Sequence, residues 1–497
     1  MNNFLKKFIS SCLCIQLSFF PVYAQDIKLP DLGASSSVDL TPLMEEQIGR
    51  EIATQIRNSH QIVDDIEINE YLQNLGYSLV ANSDDAYQNF HFFLINSSQI
   101  NAFATPGGVV AVYSGLFLTT DTESELASVM GHEIAHVTQR HLARSFEKSN
   151  QLSIPIMAGM VAGILLGAAT GSGDAGAIAA LGVSAAGQQA QINYTRANEK
   201  EADRVGMQYL SRSGYDPSGM PGFFQKLERK NRFVGGANYP EFLRTHPITI
   251  NRIAEAQQRA EQYKKQMKAF KSPLTYYLMK TKLHVLTASN ANRVKSYYAE
   301  RVKKHSSVEQ GIKIRPYEYY GYALSLFRKQ NYNEAIKIFK QLHQSDPENN
   351  SYVIALAKSY IATDDKILQN KGLKLFSDTL NDRPYNLALT SNYANALIQS
   401  GQIKKSIILI EKFNKDNFKH PAIYKLLSIA LGKDKQLVQA HIAESEYYYL
   451  SGLLDAAILQ LQIARKLVAQ KDFYTLAKIS ARENALEEEK KLYKFEE

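Results

Sequence analysis

Gly131-His132-Glu133-Ile134-Ala135-His136 sets two imidazoles four residues apart on either side of a carboxylate and two apolar positions. On a helix, residues four apart share a face, so His132 and His136 can point at one common atom. Glu133, one step round, is placed to reach a water on that atom rather than the atom itself. Two neutral imidazoles and a carboxylate general base are the parts of a zinc peptidase site. The competing reading of these residues is a solvated amphipathic helix that carries two histidines. A third ligand elsewhere in the chain separates the two.

Asn198-Glu199-Lys200-Glu201-Ala202-Asp203 offers three acids on a second helical run. Glu199 and Asp203 share a face, whereas Glu201 is turned about 200° from Glu199. Glu199 is therefore read as the third metal ligand, with Glu201 as the alternative. Asp203 is read as a catalytic neighbour of the ligands. It either fixes an imidazole by accepting its other N–H or stands near the reacting group as a proton donor. The cofactor expected is one Zn2+ per chain, held by His132, His136 and Glu199, with an open position for water. Glu133 then takes the proton of the attacking water and returns it to the leaving amine.

These residues need elements to hold them. A helical pattern runs from Leu40 to about Asn82, Phe90 to Ile95 reads as a strand, and Val109 to Tyr113 reads as a second. The motif helix is expected from about Thr122 to Glu147, capped by Asp121 or Thr122. Strand followed by active helix is the order of a zincin core. The Val109–Tyr113 strand is also the expected holder of an extended substrate, through backbone hydrogen bonds. Further helical patterns cover Thr195 to Ser211 and Met220 to Asn231, and another begins near Thr249. His141 reads as structural. His246, taken by itself, reads as a helix-start histidine before Pro247.

Beyond a Lys- and Tyr-rich helical stretch the chain repeats itself. Tyr319, Tyr322, Ala323, Ala335, Phe339 and Pro347 follow the large–small spacing of a tetratricopeptide repeat. Ala357, Tyr360, Gly372, Phe376 and Pro384 form a second copy, read as having a longer turn between its helices. Tyr393, Ala394, Ser406 and Ile410 form a weaker third, and Tyr447, Gly452, Ala456, Ala457 and Leu461 a last one. Such units bury their faces only by stacking, which gives a curved solenoid in place of an ordinary helical bundle. The expected fold is an α+β zincin-like metalloprotease domain followed by an all-α tetratricopeptide-repeat solenoid. The expected boundaries are a signal peptide at 1–24, the protease domain at 25–263, a helical connector at 264–315 and the repeats at 316–497.

The signal reading rests on Lys6 and Lys7, the apolar stretch from Phe8 to Phe20, and Val22-Tyr23-Ala24 as a small-residue cleavage site. Both cysteines, Cys12 and Cys14, fall inside it, so an exported chain would be free of thiols and disulfides and would rely on packing. A bacterial periplasm fits. Removing Lys6 and Lys7 from 57 basic residues against 49 acidic leaves a net charge of +6. That favours solubility and peripheral contact with anionic membrane surfaces. It shows no dense basic stripe for nucleic acid. Residues 149–173 carry no charge. They read as a mobile lid or amphipathic hairpin over the cleft, with a membrane span as the alternative.

H-E-I-A-H, then E-x-x-x-D, then Thr245-His246-Pro247 with Arg252 six residues beyond His246, resembles the zinc metallopeptidase family of the CAAX prenyl endopeptidases and their bacterial relatives. The resemblance spans nearly all of the mature chain. It implies a periplasmic zinc metalloendopeptidase that degrades misfolded outer-membrane proteins and assists their assembly. It also implies unfolded or misassembled outer-membrane proteins as partners, with the repeats docking at the barrel-assembly machinery. In that family the histidine of the His-Pro motif can cap the zinc and hold the enzyme inactive, and His246 matches it. The alternative is a latent protease acting as a chaperone or binding scaffold through its repeats.

Overall fold

In the computed structural model, residues 41–59, 61–85, 89–144, 185–233, 240–265, 270–306, 315–416 and 419–493 are described. The expected signal peptide and the uncharged stretch at 149–173 lie outside them.

The helical pattern from Leu40 to about Asn82 forms two helices, Pro42–Asn58 and Ile66–Val80. Asp65 starts the second by accepting a hydrogen bond from the Ile68 amide at 3.1 Å. Between the helices, Ile62 bridges to Ile95 at the sheet. Three strands form that sheet: β1 (His91–Ile95), β2 (Ala102–Thr105) and β3 (Val109–Tyr113), in the order β1-β3-β2. β3 runs parallel to β1 and antiparallel to β2. The sequence pattern revealed β1 and β3 but not β2, which is short and breaks at Pro106-Gly107-Gly108. Gly107 and Gly108 both take positive φ, 76° and 78°. A Cβ on Gly107 would lie 2.3 Å from the Glu45 carbonyl oxygen, so only glycine fits this turn. β3, buried along its whole length, is the central strand and has no free edge for a substrate. Among the described strands, the edge on the motif-helix side is β2.

The motif helix spans Glu123–Thr138. Thr122 caps it by accepting from the Glu125 amide at 3.2 Å. It stops nine residues short of the expected Glu147, because Arg140 takes φ 50°. The long helix Ala185–Arg212 crosses it where two glycines meet. A Cβ on Gly206 would sit 2.9 Å from the carbonyl carbon and oxygen of Gly131. That backbone-to-backbone approach sets His132, next to Gly131, opposite Asp203, one turn from Gly206. Leu126, Met130 and Ile134 from one helix pack into a core with Met207, Leu210, Phe223 and Leu227 from the second and from Gly219–Phe233.

From Pro316 to Tyr493 the described residues form ten helices joined by short turns, the antiparallel stacking of a tetratricopeptide array. Gly372 lets the second repeat's helices touch, since a Cβ there would lie 2.7 Å from the Ala357 carbonyl oxygen. The extra length of that repeat lies mainly in its second helix, Lys366–Asp382, of 17 residues against 14 in Tyr332–Ser345. The inter-helix turn read as longer is nearly unchanged. Helices Pro421–Lys433 and Phe473–Tyr493 complete the array and lacked the large–small signature. One buried apolar cluster runs from Ile68 and Leu72 through Leu283 and Tyr320 to Phe339 and Tyr352, so the repeats begin on the core of the half that carries the motif helix. No described helix is long and apolar enough to cross a membrane.

Candidate active site

His132 and His136 project from the motif helix with their Nε2 atoms 3.0 Å apart. Glu199 reaches both from the crossing helix, at 3.4 Å from His132 Nε2 and 3.3 Å from His136 Nε2. His246 arrives from the end of the short helix Glu241–Thr245, its Nδ1 3.2 Å from His132 Nε2 and 3.0 Å from Glu199 Oε1. One ligand atom from each of His132, His136, Glu199 and His246 lies within 4.8 Å of all the others. Phe242 stacks against the His246 ring at 4.8 Å between centroids and fixes its approach.

A second layer of groups sets the imidazoles. His132 Nδ1 lies 3.0 Å from Asp203 Oδ1, so Asp203 stands behind His132, away from the converged atoms. Arg252 grips Asp203 with two bonds, Nε to Oδ2 at 2.7 Å and Nη2 to Oδ1 at 2.8 Å. The same guanidinium reaches Glu199 Oε2 at 2.9 Å and the Pro247 carbonyl at 2.8 Å. It therefore ties the E-x-x-x-D helix to the segment that carries His246. Glu201 faces elsewhere, paired with His141 at 3.0 Å and Arg144 at 3.2 Å. Of the two candidate third ligands, the fold brings Glu199 into the cluster and leaves Glu201 outside it.

Glu133 is 1% exposed, with Oε1 3.5 Å from His246 Nε2. Burial pushes its carboxyl up, against the opposing pull of His246 and His132. Burial would also raise Glu199, but His246, His132 and His136 hold it well below the usual carboxylate range. Burial pulls His132 down, yet hydrogen bonds and charge from Asp203 and Glu199 raise it to about 10. His136, buried and without such a direct acid behind it, falls to about 3 despite Glu199.

The donor chemistry fits a metal ion. Two Nε2 atoms face each other at hydrogen-bond distance while the ring nitrogens behind them are engaged by Asp203 and His141. A cation entering among these nitrogen and carboxylate atoms would displace the proton that the acids hold on His132, and imidazole with carboxylate is a zinc-type donor set.

The model of peptidase family M48 matches residues 67–260. The beta-barrel assembly-enhancing protease of Escherichia coli strain K12 is 36% identical over 438 residues, 88% of this chain and 86% of that one. This chain belongs to peptidase family M48. A putative beta-barrel assembly-enhancing protease of Vibrio cholerae is also 36% identical, over 84% of each chain. A mitochondrial metalloendopeptidase of Arabidopsis thaliana is 26% identical over 228 residues, 44% of this chain and 41% of that one. As an M48 member the chain is a metallopeptidase, with a histidine and glutamate cluster able to hold its metal.

Two features of the site escaped sequence reasoning. Arg252 was visible only as part of the family pattern, not as the clamp between Asp203 and Glu199. Its signal was a cation in the first turn of helix Ile250–Lys264, where the helix dipole disfavours one. His141 reads as structural on a motif helix that continues through it, whereas the break at Arg140 brings its Nδ1 to 2.9 Å from His136 Nδ1.

Proposed function

We propose that this chain is a periplasmic zinc metalloendopeptidase that removes misfolded outer-membrane proteins and assists their assembly. The observation that carries the reading is the convergence of His132, His136, Glu199 and His246 beside a buried Glu133. The relatives' printed name, beta-barrel assembly-enhancing protease, supports the substrate class. His132, His136 and Glu199 would hold zinc, which supplies Lewis acidity to a peptide carbonyl and to a water. Glu133 accepts the proton of the attacking water and delivers it to the leaving amine. Asp203, held by Arg252, keeps the His132 Nδ1 proton in place so that Nε2 faces inward, which favours the orienting role over proton donation.

β2 is the strand suited to take an extended substrate. The Tyr113 amide donates to the Asn101 carbonyl at 3.0 Å, so alternation turns the backbone groups of Phe103 toward β3 and those of Ala104 outward, on the side where the Ala104 backbone also meets Glu133. The helical repeats offer the protein-binding surface, and the barrel-assembly machinery is the partner we assign to it. His246 supports a second reading as well: occupying the fourth place among the ligand atoms, it holds the enzyme latent until it moves, while the repeats act as a scaffold.

Casein cleavage by the mature protein tests the core of the proposal. Phenanthroline should abolish it and added zinc restore it. Cleavage that survives complete metal removal would rule the reading out.

A further inference from the structure

His141 is 2% exposed and lies immediately after the residue that breaks the motif helix. Arg140 sits in the left-handed region at φ 50°, a strained conformation for a non-glycine residue. Its Nε donates to Glu45 Oε1 at 2.8 Å, and Glu45 is itself buried at 6% exposure. The break therefore has a built anchor, and its effect is to carry His141 back toward the helix it has just left. There its Nδ1 lies 2.9 Å from His136 Nδ1, with the rings at 76° and 4.9 Å between centroids. On its far side, Nε2 lies 3.0 Å from Glu201 Oε2, which also meets Arg144 at 3.2 Å.

The hydrogen positions follow by elimination. His136 turns Nε2 to the cluster, so its proton is on Nδ1 and is donated to His141 Nδ1. His141 must then carry its own proton on Nε2, which it donates to Glu201. We propose that the His141–Glu201 pair is the positioning unit for His136, fixing its tautomer and ring plane for the metal as Asp203 does for His132. The two ligand imidazoles are thus supported differently: His132 by an ion-paired acid in direct contact, His136 by a neutral imidazole relaying to an acid one step further out. The inference rests on the metal-centre reading proposed above. It also accounts for Glu201 lying beside the site without entering it.

The test is zinc affinity of the mature full-length chain, by competition with a chromophoric chelator, beside the unfolding temperature of each metal-free variant. His141→Leu should weaken zinc binding about 10- to 100-fold. Glu201→Gln, at a partly exposed position, should weaken it less and leave folding intact. His141→Gln can accept from His136 and donate to Glu201, and should recover most of the loss. Casein kinetics should show lower kcat with little change in KM once zinc is saturating. If wild type binds zinc and both His141→Leu and Glu201→Gln bind it as tightly, the positioning role is wrong and the metal centre stands. Affinity that merely tracks a lowered metal-free unfolding temperature, without recovery in His141→Gln, also overturns it. If wild type takes up no zinc, the metal-centre reading fails and this inference with it.

Discussion

At the scale of single residues, the site is organised by what stands behind the imidazoles as much as by the imidazoles themselves. Asp203 lies 3.0 Å from His132 Nδ1 and is gripped by Arg252 through both oxygens. Asp203→Asn keeps an acceptor for the ring but removes the charge and one arm of the Arg252 clamp. Zinc affinity should fall about 10- to 100-fold with the fold retained, a loss that isothermal titration would read directly. Unchanged affinity would mean that Asp203 serves only the fold. His132, Glu133 and His136 were legible in the sequence because helix periodicity alone places them. That Glu199 and not Glu201 faces the two histidines was legible for the same reason, as a question of helix face. His246 was not, because nothing in Thr245-His246-Pro247 tells that a five-residue helix will aim it at residues more than a hundred positions away. Only the family resemblance singled it out.

At the scale of elements, periodicity located helices well and their ends badly. The motif helix was expected to run to Glu147, and stops at Thr138 because a left-handed Arg140, paired with Glu45, is compatible with any local pattern. β2 was missed for a related reason, since four residues cannot establish a period. Helix starts offer a sharper test. His420 caps helix Pro421–Lys433 by accepting from the Ala422 amide through Nδ1 at 3.2 Å, which requires a neutral ring. Burial lowers His420 to about 4. Above about pH 6.5 folded and unfolded chains both hold it neutral. As pH falls toward 4 the unfolded chain takes up a proton that the folded chain refuses, so stability is lost through that window. His420→Asn keeps an acceptor without titrating. Its unfolding temperature relative to wild type should therefore be higher at pH 4.5 than at pH 7.5. A difference independent of pH would show that His420 titrates alike in the folded and unfolded chains and that burial does not lower it.

At the scale of the whole molecule, the catalytic half and the repeats are joined by buried charge as well as by apolar surface. Lys282, from helix Leu274–Thr287, pairs with Asp65 at 2.7 Å and with Glu67, and Ser351 of the second repeat donates to Glu67 at 2.8 Å. Burial pulls Lys282 down, but Glu67 and Asp65 outweigh it and raise it, so it stays charged. Lys282→Met leaves two acids uncompensated and should cost about 3–5 kcal/mol in denaturant unfolding. A cost under about 1 kcal/mol would mean that the apolar cluster alone holds the junction. The division into a metallopeptidase half and a repeat array was legible from spacing, but this junction was not, since its members come from three separate regions of the chain. The most direct test of the account is zinc content and casein cleavage measured together for wild type, Glu133→Gln and His246→Ala. All three should hold one zinc per chain, Glu133→Gln should cleave nothing, and His246→Ala should cleave faster than wild type. Cleavage retained by Glu133→Gln, or a wild-type chain without zinc, would contradict it.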